Sequence, residues 1–206
     1  LTPKIEHIIK ARKAFRDRQG LMVMIRPRSG DFSYSPQEID QMIEQIHIAG
    51  ESGADGIVLG VLRSNDNYVD TDLLLKLKEI SSQYNFSVTF HRAFDATPDP
   101  LESVELLIQL GIDRILTSGT PWGDKGLALG GIDNLRKIVE ISRGRIEIVI
   151  GGGISIFNVR NILSDLIITG KRISVHSYSG VQENGMTKFG KIKSLVNEIE
   201  KIYQKN

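Results

Sequence analysis

Ser87-Val88-Thr89-Phe90-His91-Arg92-Ala93-Phe94-Asp95 is the stretch that decides how this 206-residue chain is read. Val88 and Phe90 are apolar while Thr89 and His91 are polar, the period of two of a strand whose faces meet different surroundings. Thr97-Pro98-Asp99-Pro100 then supplies a cap residue and an early proline, which opens a helical pattern. Polar groups at the C-terminal end of a strand that feeds a helix are where α/β proteins place their sites.

The same unit recurs on both sides. Leu1 to Arg18 reads as a helix, with Thr2 as cap and Pro3 at its first position. Leu21 to Arg26 is an apolar run stopped by Pro27, as in a buried parallel strand. Ser35-Pro36-Gln37-Glu38 is a capping box that starts a helix stopped near Gly53. Strands at Gly56 to Leu62, Ser87 to Arg92, Arg114 to Ser118, Glu147 to Ile150 and Ile173 to His176 follow. Helical patterns alternate with them: Thr71 to Ser82, Pro98 to Leu110, one ending near Ile141, Ser155 to Leu163, and Phe189 to Tyr203. Six strands alternating with helices, without a linker, imply one α/β domain over residues 1–206 built on a parallel sheet. A TIM (β/α)8 barrel needs eight strands, so the reading is a barrel lacking its first strand–helix–strand portion and N-terminally incomplete. The competing architecture is an open doubly wound sheet, against which stands the absence of G-x-G-x-x-G after the first strand.

Bulk properties narrow the function classes. Net charge is +1, which gives no global field favouring nucleic acid or an anionic membrane. No apolar run approaches the ~20 residues of a membrane helix. The chain has no cysteine, so it holds neither a disulfide framework nor a thiolate metal site, and a reducing cytoplasm is the expected compartment.

Strand parity then orients the polar groups. If the apolar residues of each strand face the helices, Arg26, His91, Glu147 and His176 turn inward from four separate strands. These are the candidate catalytic residues: Arg26 on an anionic group, and His91 or His176 as acid and base. Glu147, low in the barrel, is equally a structural partner for Arg26, since a buried carboxylate needs a cation or donors. Gly151-Gly152-Gly153, before a helix, offers backbone amides to an anion, with Ser177 as an added donor; the alternative is a tight turn that needs glycine. Arg28, Arg92, Asp95, Thr117 and Ser118 complete the candidate substrate or anion site, although Arg28 with Asp31 and Arg92 with Asp95 also suit local ion pairs. Trp122, in the Gly119 to Gly131 loop, reads as a lid residue or an interface anchor.

Four stretches carry a resemblance: Met22 to Phe32 (M-V-M-I-R-P-R-S-G-D-F), Thr89 to Asp95, Arg114 to Gly119 and Ile150 to Ile154. In order and spacing they closely resemble the copper homeostasis protein CutC family. The resemblance implies a cytoplasmic (β/α)8 barrel that forms homo-oligomers, dimers or tetramers, with a link to copper tolerance and Cu(I) binding. It also implies that the family's first two strands, and the cysteines associated with copper, precede Leu1. Cu(I) prefers thiolate and thioether ligands, so His91, His176, Met22 and Met24 are the local substitutes here. Two functions therefore stand: a copper homeostasis protein whose partner is the copper ion, and a barrel enzyme acting on a small anionic or phosphorylated metabolite.

Overall fold

The computed structural model describes residues 1–125, 127–167 and 172–204; Gly126, inside the expected Gly119 to Gly131 loop, lies outside them. Its sheet has six parallel strands: β1 (Met22–Met24), β2 (Gly56–Leu59), β3 (Ser87–Phe90), β4 (Arg114–Thr117), β5 (Glu147–Ile150) and β6 (Ile173–Val175). They lie side by side in chain order, β1-β2-β3-β4-β5-β6. A doubly wound sheet must reverse its order at a switch point. This one never does, and the winding is that of a TIM barrel. Among the described residues β1 and β6 are not paired with each other, so the arc is open there.

Burial alternates along the strands as the parity argument requires. Val23, Ile57, Leu59, Val88, Phe90, Ile115, Ile148 and Ile150 are buried, while Met22, Met24, Val58, Leu116 and Val149 on the other parity are half-buried. The second set lines the concave face and, with Thr89, Ser174 and His176, bounds a cavity of about 550 Å³. The helices that follow the strands are α2 (Pro36–Glu51), α3 (Thr71–Ser82), α4 (Pro100–Gln109), α6 (Ile132–Ser142), α7 (Val159–Ile167) and α8 (Phe189–Tyr203), with α1 (Ile5–Phe15) before β1 and the short α5 (Leu127–Gly130) before α6. Their apolar stripes supply Met42, Ile46, Leu74, Leu77, Leu107 and Leu135 to the core behind the sheet. The Ser35 capping box forms in both directions with Glu38.

Several boundaries differ from the expectation for local reasons. α1 starts at Ile5 rather than near Thr2, because Thr2 pairs with the end of β1: its N–H donates to the Arg26 carbonyl and its Oγ1 accepts from the Arg26 N–H. After β3 the chain tightens into a 3-10 segment, Arg92–Ala96, and α4 begins two residues late with Asp99 as its cap. α7 begins at Val159 rather than Ser155. A small hairpin, β7 (Gln182–Glu183) with β8 (Met186–Thr187), precedes α8. No helix among the described residues is long and apolar enough to cross a membrane.

Two of the strands, β2 and β4, begin with the same anchoring device. Asp55, just before β2, accepts from the Gly20 and Leu21 amides at 2.8 and 2.7 Å and pairs with Arg12 at 2.6 Å. Asp113, just before β4, accepts from the Val88 amide at 2.7 Å. Each follows a glycine of positive φ, Gly53 and Gly111, so G-x-D recurs wherever a carboxylate must reach back to the preceding strand. Burial pushes the Asp55 carboxyl up, but the amides and Arg12 together push it further down, to a net value below 3.8. Its stabilising effect is therefore present at neutral pH and lost as pH falls below 3.8 through the folded-state value. Asp55→Ala should destabilise the chain by about 2 kcal/mol at pH 7. The deficit should shrink on acidification, and urea midpoints at pH 7 and pH 3 check both.

Candidate functional site

The mouth of the sheet is built first from the end of β1. Thr2 fixes the backbone of Arg26, and the guanidinium then folds over the loop that follows: Nη2 donates to the Gly30 carbonyl at 2.8 Å. Its centre lies 4.6 Å from the Phe32 ring and 5.7 Å from the Trp122 ring. The Arg26 Nε is buried beside the Tyr34 hydroxyl and meets no other group.

His91 comes to the same place from β3. Its backbone continues the ladder, donating to the Leu59 carbonyl at 2.7 Å, and its ring lies 5.1 Å from Phe32. Gly60 makes this possible, since a Cβ there would come 2.4 Å from His91 Nδ1. That nitrogen accepts the Ala93 amide at 3.1 Å, which places the ring proton on Nε2. The Nε2–H is buried without a partner. Burial, with the charge of Arg26 added, pushes the imidazole down to about 3. His91 is thus a neutral donor at physiological pH rather than a group poised to exchange protons.

Asp95 organises the neighbouring strand end. Its side chain is 2% exposed and accepts from Thr117 Oγ1, the Ser118 amide at 3.2 Å, Ser118 Oγ at 3.0 Å and Arg92 Nε at 2.7 Å. Three donors meet Oδ2 and one meets Oδ1, so the buried Asp95 carboxylate acts by positioning Arg92, Thr117 and Ser118. Arg92 also donates to Ser118 Oγ at 2.8 Å and lies 5.3 Å from the Trp122 ring. The Trp122 amide in turn donates to the Asp95 carbonyl at 2.8 Å, and its indole meets Phe32 edge-on at 4.9 Å.

The other sequence candidates lie apart from this group. Glu147 faces the concave cavity, but its partners are Arg114 at 3.0 Å and Arg172 at 3.9 Å, not Arg26. His176 lines the same cavity, and burial lowers its pKa. Arg28 is held by Asp31 at 2.8 Å and Glu38 at 2.6 Å. Gly151 gives its amide to the Thr117 carbonyl, while Gly152 accepts from Ala128 and adopts positive φ with Gly153. A Cβ at Gly153 would lie 2.6 Å from Leu127, so the glycines admit close packing. Ser177 donates to the Ile154 carbonyl at 2.6 Å, and the Ser155–Asn158 turn separates the glycines from α7. Phe32, Tyr34 and Gly60 were not foreseen. D-F-S-Y, aromatics two apart just beyond a strand-end arginine, is the signal that could have found the first two.

Parallel strands in chain order, each followed by a helix, define a protein of the (β/α)-barrel class. The chain belongs to the CutC family, whose match runs over residues 1–181. A CutC family protein of Pasteurella multocida is 41% identical over 156 residues, 76% of this chain. The Homo sapiens copper homeostasis protein cutC homolog is 43% identical over 143 residues, 69% of this chain. The chain spans 61% and 50% of the lengths of these two relatives. A crystal structure of a copper homeostasis protein CutC from Streptococcus agalactiae matches with a TM-score of 0.75 at 33% identity, covering 84% of this chain and 80% of that one.

A histidine held below its ordinary value makes the unfolded chain bind the extra proton. His91 should therefore cost stability as pH falls from 6.5 toward about 3, with a slope of up to about 1.4 kcal/mol per pH unit. Urea midpoints between pH 7.5 and 5.5 should fall less steeply in His91→Leu than in the wild type. An NMR titration of His91 with a midpoint between pH 5 and 8 would overturn the assignment.

Proposed function

We propose that this chain binds, and as a barrel enzyme acts on, a small anionic metabolite at the mouth formed by Arg26, His91 and Arg92. One observation carries the reading. His91 Nε2 is a buried donor without a partner, and Arg26 Nε and the Tyr34 hydroxyl, buried beside one another, meet no other group. Buried donors are almost always satisfied, because leaving one unmade costs about 1–3 kcal/mol. Their contacts gather around Phe32 and Arg26, so a single acceptor-rich ligand suits them. Thr117, Ser118 and Asp95 serve by holding Arg92 in place.

A ligand at about a hundred times its Kd adds ~2.7 kcal/mol of stability, which is about 5–10 °C in Tm for a chain of this size. A panel of small carboxylates and phosphates should contain at least one anion that raises Tm by this amount. Arg26→Met should respond to the same anion at least tenfold more weakly in apparent Kd. A panel with no effect on the wild type, confirmed by calorimetry, rejects the reading.

Copper handling, which the names of the relatives suggest, is the second reading, and Met22, Met24 and His176 favour it by lining one cavity. Two thioethers and a neutral imidazole are a soft donor set suited to Cu(I). The fit is poor, however. The Arg114 guanidinium donates to Met22 Sδ at 3.8 Å, and a cation there opposes a second one. Among the described residues no three of His, Asp and Glu gather as a metal cluster, and the chain has no cysteine. On this reading copper is cargo and the protein is cytoplasmic. Titration with Cu(I) against a competing chelator tests it. Stoichiometric binding that His176→Ala weakens at least tenfold supports it, and absence of binding at sub-micromolar competition rejects it.

A further inference from the structure

The charges at the mouth favour an anion. Arg92 is matched by Asp95 at 2.7 Å, and Arg28 by Asp31 and Glu38 at 2.8 and 2.6 Å. His91 carries no charge. Among the described residues, the Arg26 guanidinium has no carboxylate within ion-pair distance; it donates to the Gly30 carbonyl and lies against the Tyr34 hydroxyl. Among these side chains Arg26 thus presents the positive charge that no carboxylate matches, and the Leu1 ammonium adds a second positive charge felt by His91, so shape rather than charge count separates one anion from another here.

The walls are aromatic. Phe32 is buried between Arg26 and His91, with the guanidinium centre at 4.6 Å and the imidazole at 5.1 Å from its ring. Trp122 stands edge-on to Phe32, 42% exposed, with the Arg26 and Arg92 guanidinium centres 5.7 and 5.3 Å from its ring. The polar donors beneath are ordered for a flat acceptor: the guanidinium is a planar fork, and His91, 3% exposed, adds one fixed N–H. A flat apolar surface placed beside these donors would meet the Phe32 ring and the Trp122 indole together.

We infer that the mouth selects a monocarboxylate with a planar apolar body: the carboxylate on Arg26 and the His91 Nε2–H, the body against Phe32 and Trp122. The inference rests on the anion-binding reading above and narrows it against phosphorylated ligands.

The chain contains one tryptophan, so its intrinsic indole emission reports this site alone. Benzoate, benzamide and inorganic phosphate serve as probes, titrated into the chain while Trp122 emission and calorimetric heat are followed. Benzoate should give a saturable change in emission. Benzamide, which has the shape without the charge, should bind at least tenfold more weakly, and so should phosphate, which has the charge without the shape. Arg26→Met should weaken benzoate at least tenfold, with far-ultraviolet dichroism used to check that this variant keeps its fold. The comparison among the three probes stands on the wild type whatever the variant does. Phosphate binding as tightly as benzoate overturns the inference and leaves the anion reading in place. Benzamide matching benzoate overturns it also, by making the site one for neutral rings. Calorimetric silence with all three probes and an unchanged Tm across the wider anion panel removes both.

Discussion

A carboxylate with 2% exposure holds the mouth together, and it does so because it has no alternative. Stripping the Asp95 side chain of water costs several kcal/mol unless donors replace that water. Four do: a hydroxyl and an amide–hydroxyl pair from the end of β4, and a guanidinium from its own 3-10 turn. The charge is therefore satisfied only when β3 and β4 end in register, with Arg92 laid across them. Trp122 is hung from the Asp95 carbonyl by its backbone amide, so the indole's place follows from the same constraint. Rigid strand ends that fix their side chains through shared partners are what a binding site requires.

The opposite end of the sheet is secured by related chemistry used for another purpose. Asp55 and Asp113 reach back from the start of one strand to amides at the start of the previous one. Both ends thus rely on carboxylates accepting backbone or side-chain N–H groups, but among the described residues the buried donors left over lie at the C-terminal end. At the N-terminal ends Glu147 meets Arg114, and Arg114 also reaches Ser87 Oγ, so the polar groups there largely satisfy one another. The sheet therefore has a polar floor closed by its own ion pair and a mouth with hydrogen-bonding capacity in reserve.

Much of this arrangement was legible in the residues. The alternation in V-T-F-H set the faces of β3, and the same parity rule placed Arg26 and His91 on one side of the sheet. Ser35-Pro36-Gln37-Glu38 declared its helix, since the capping box needs only four neighbouring residues. What failed to show was whatever depended on distant partners. Thr2 looked like a helix cap until Arg26 offered it a better pair of bonds. The glycine triplet looked like an anion cradle, yet its Gly151 amide belongs to the β4–β5 ladder and Leu127 packs against Gly153. Phe32 and Tyr34 were invisible as site residues because an aromatic in a loop acquires meaning only from what packs on it. The pair Gly60 and His91 is similar, since nothing in either residue announces that one is small so that the other can fit.

The charge state of His91 shows how one local bond can change a chemical role. Read from the sequence, an imidazole at a strand end is a candidate acid or base. The Ala93 amide occupies Nδ1 and the apolar surroundings disfavour the imidazolium, so the ring becomes a fixed N–H donor. Arg26 raises the electrostatic cost of charging it further. Two groups that repel as cations are compatible here because only one of them is charged. On the proposed reading a negative ligand would resolve what remains, by pairing with Arg26 and accepting from His91, whose Nε2–H is otherwise buried and unpaired.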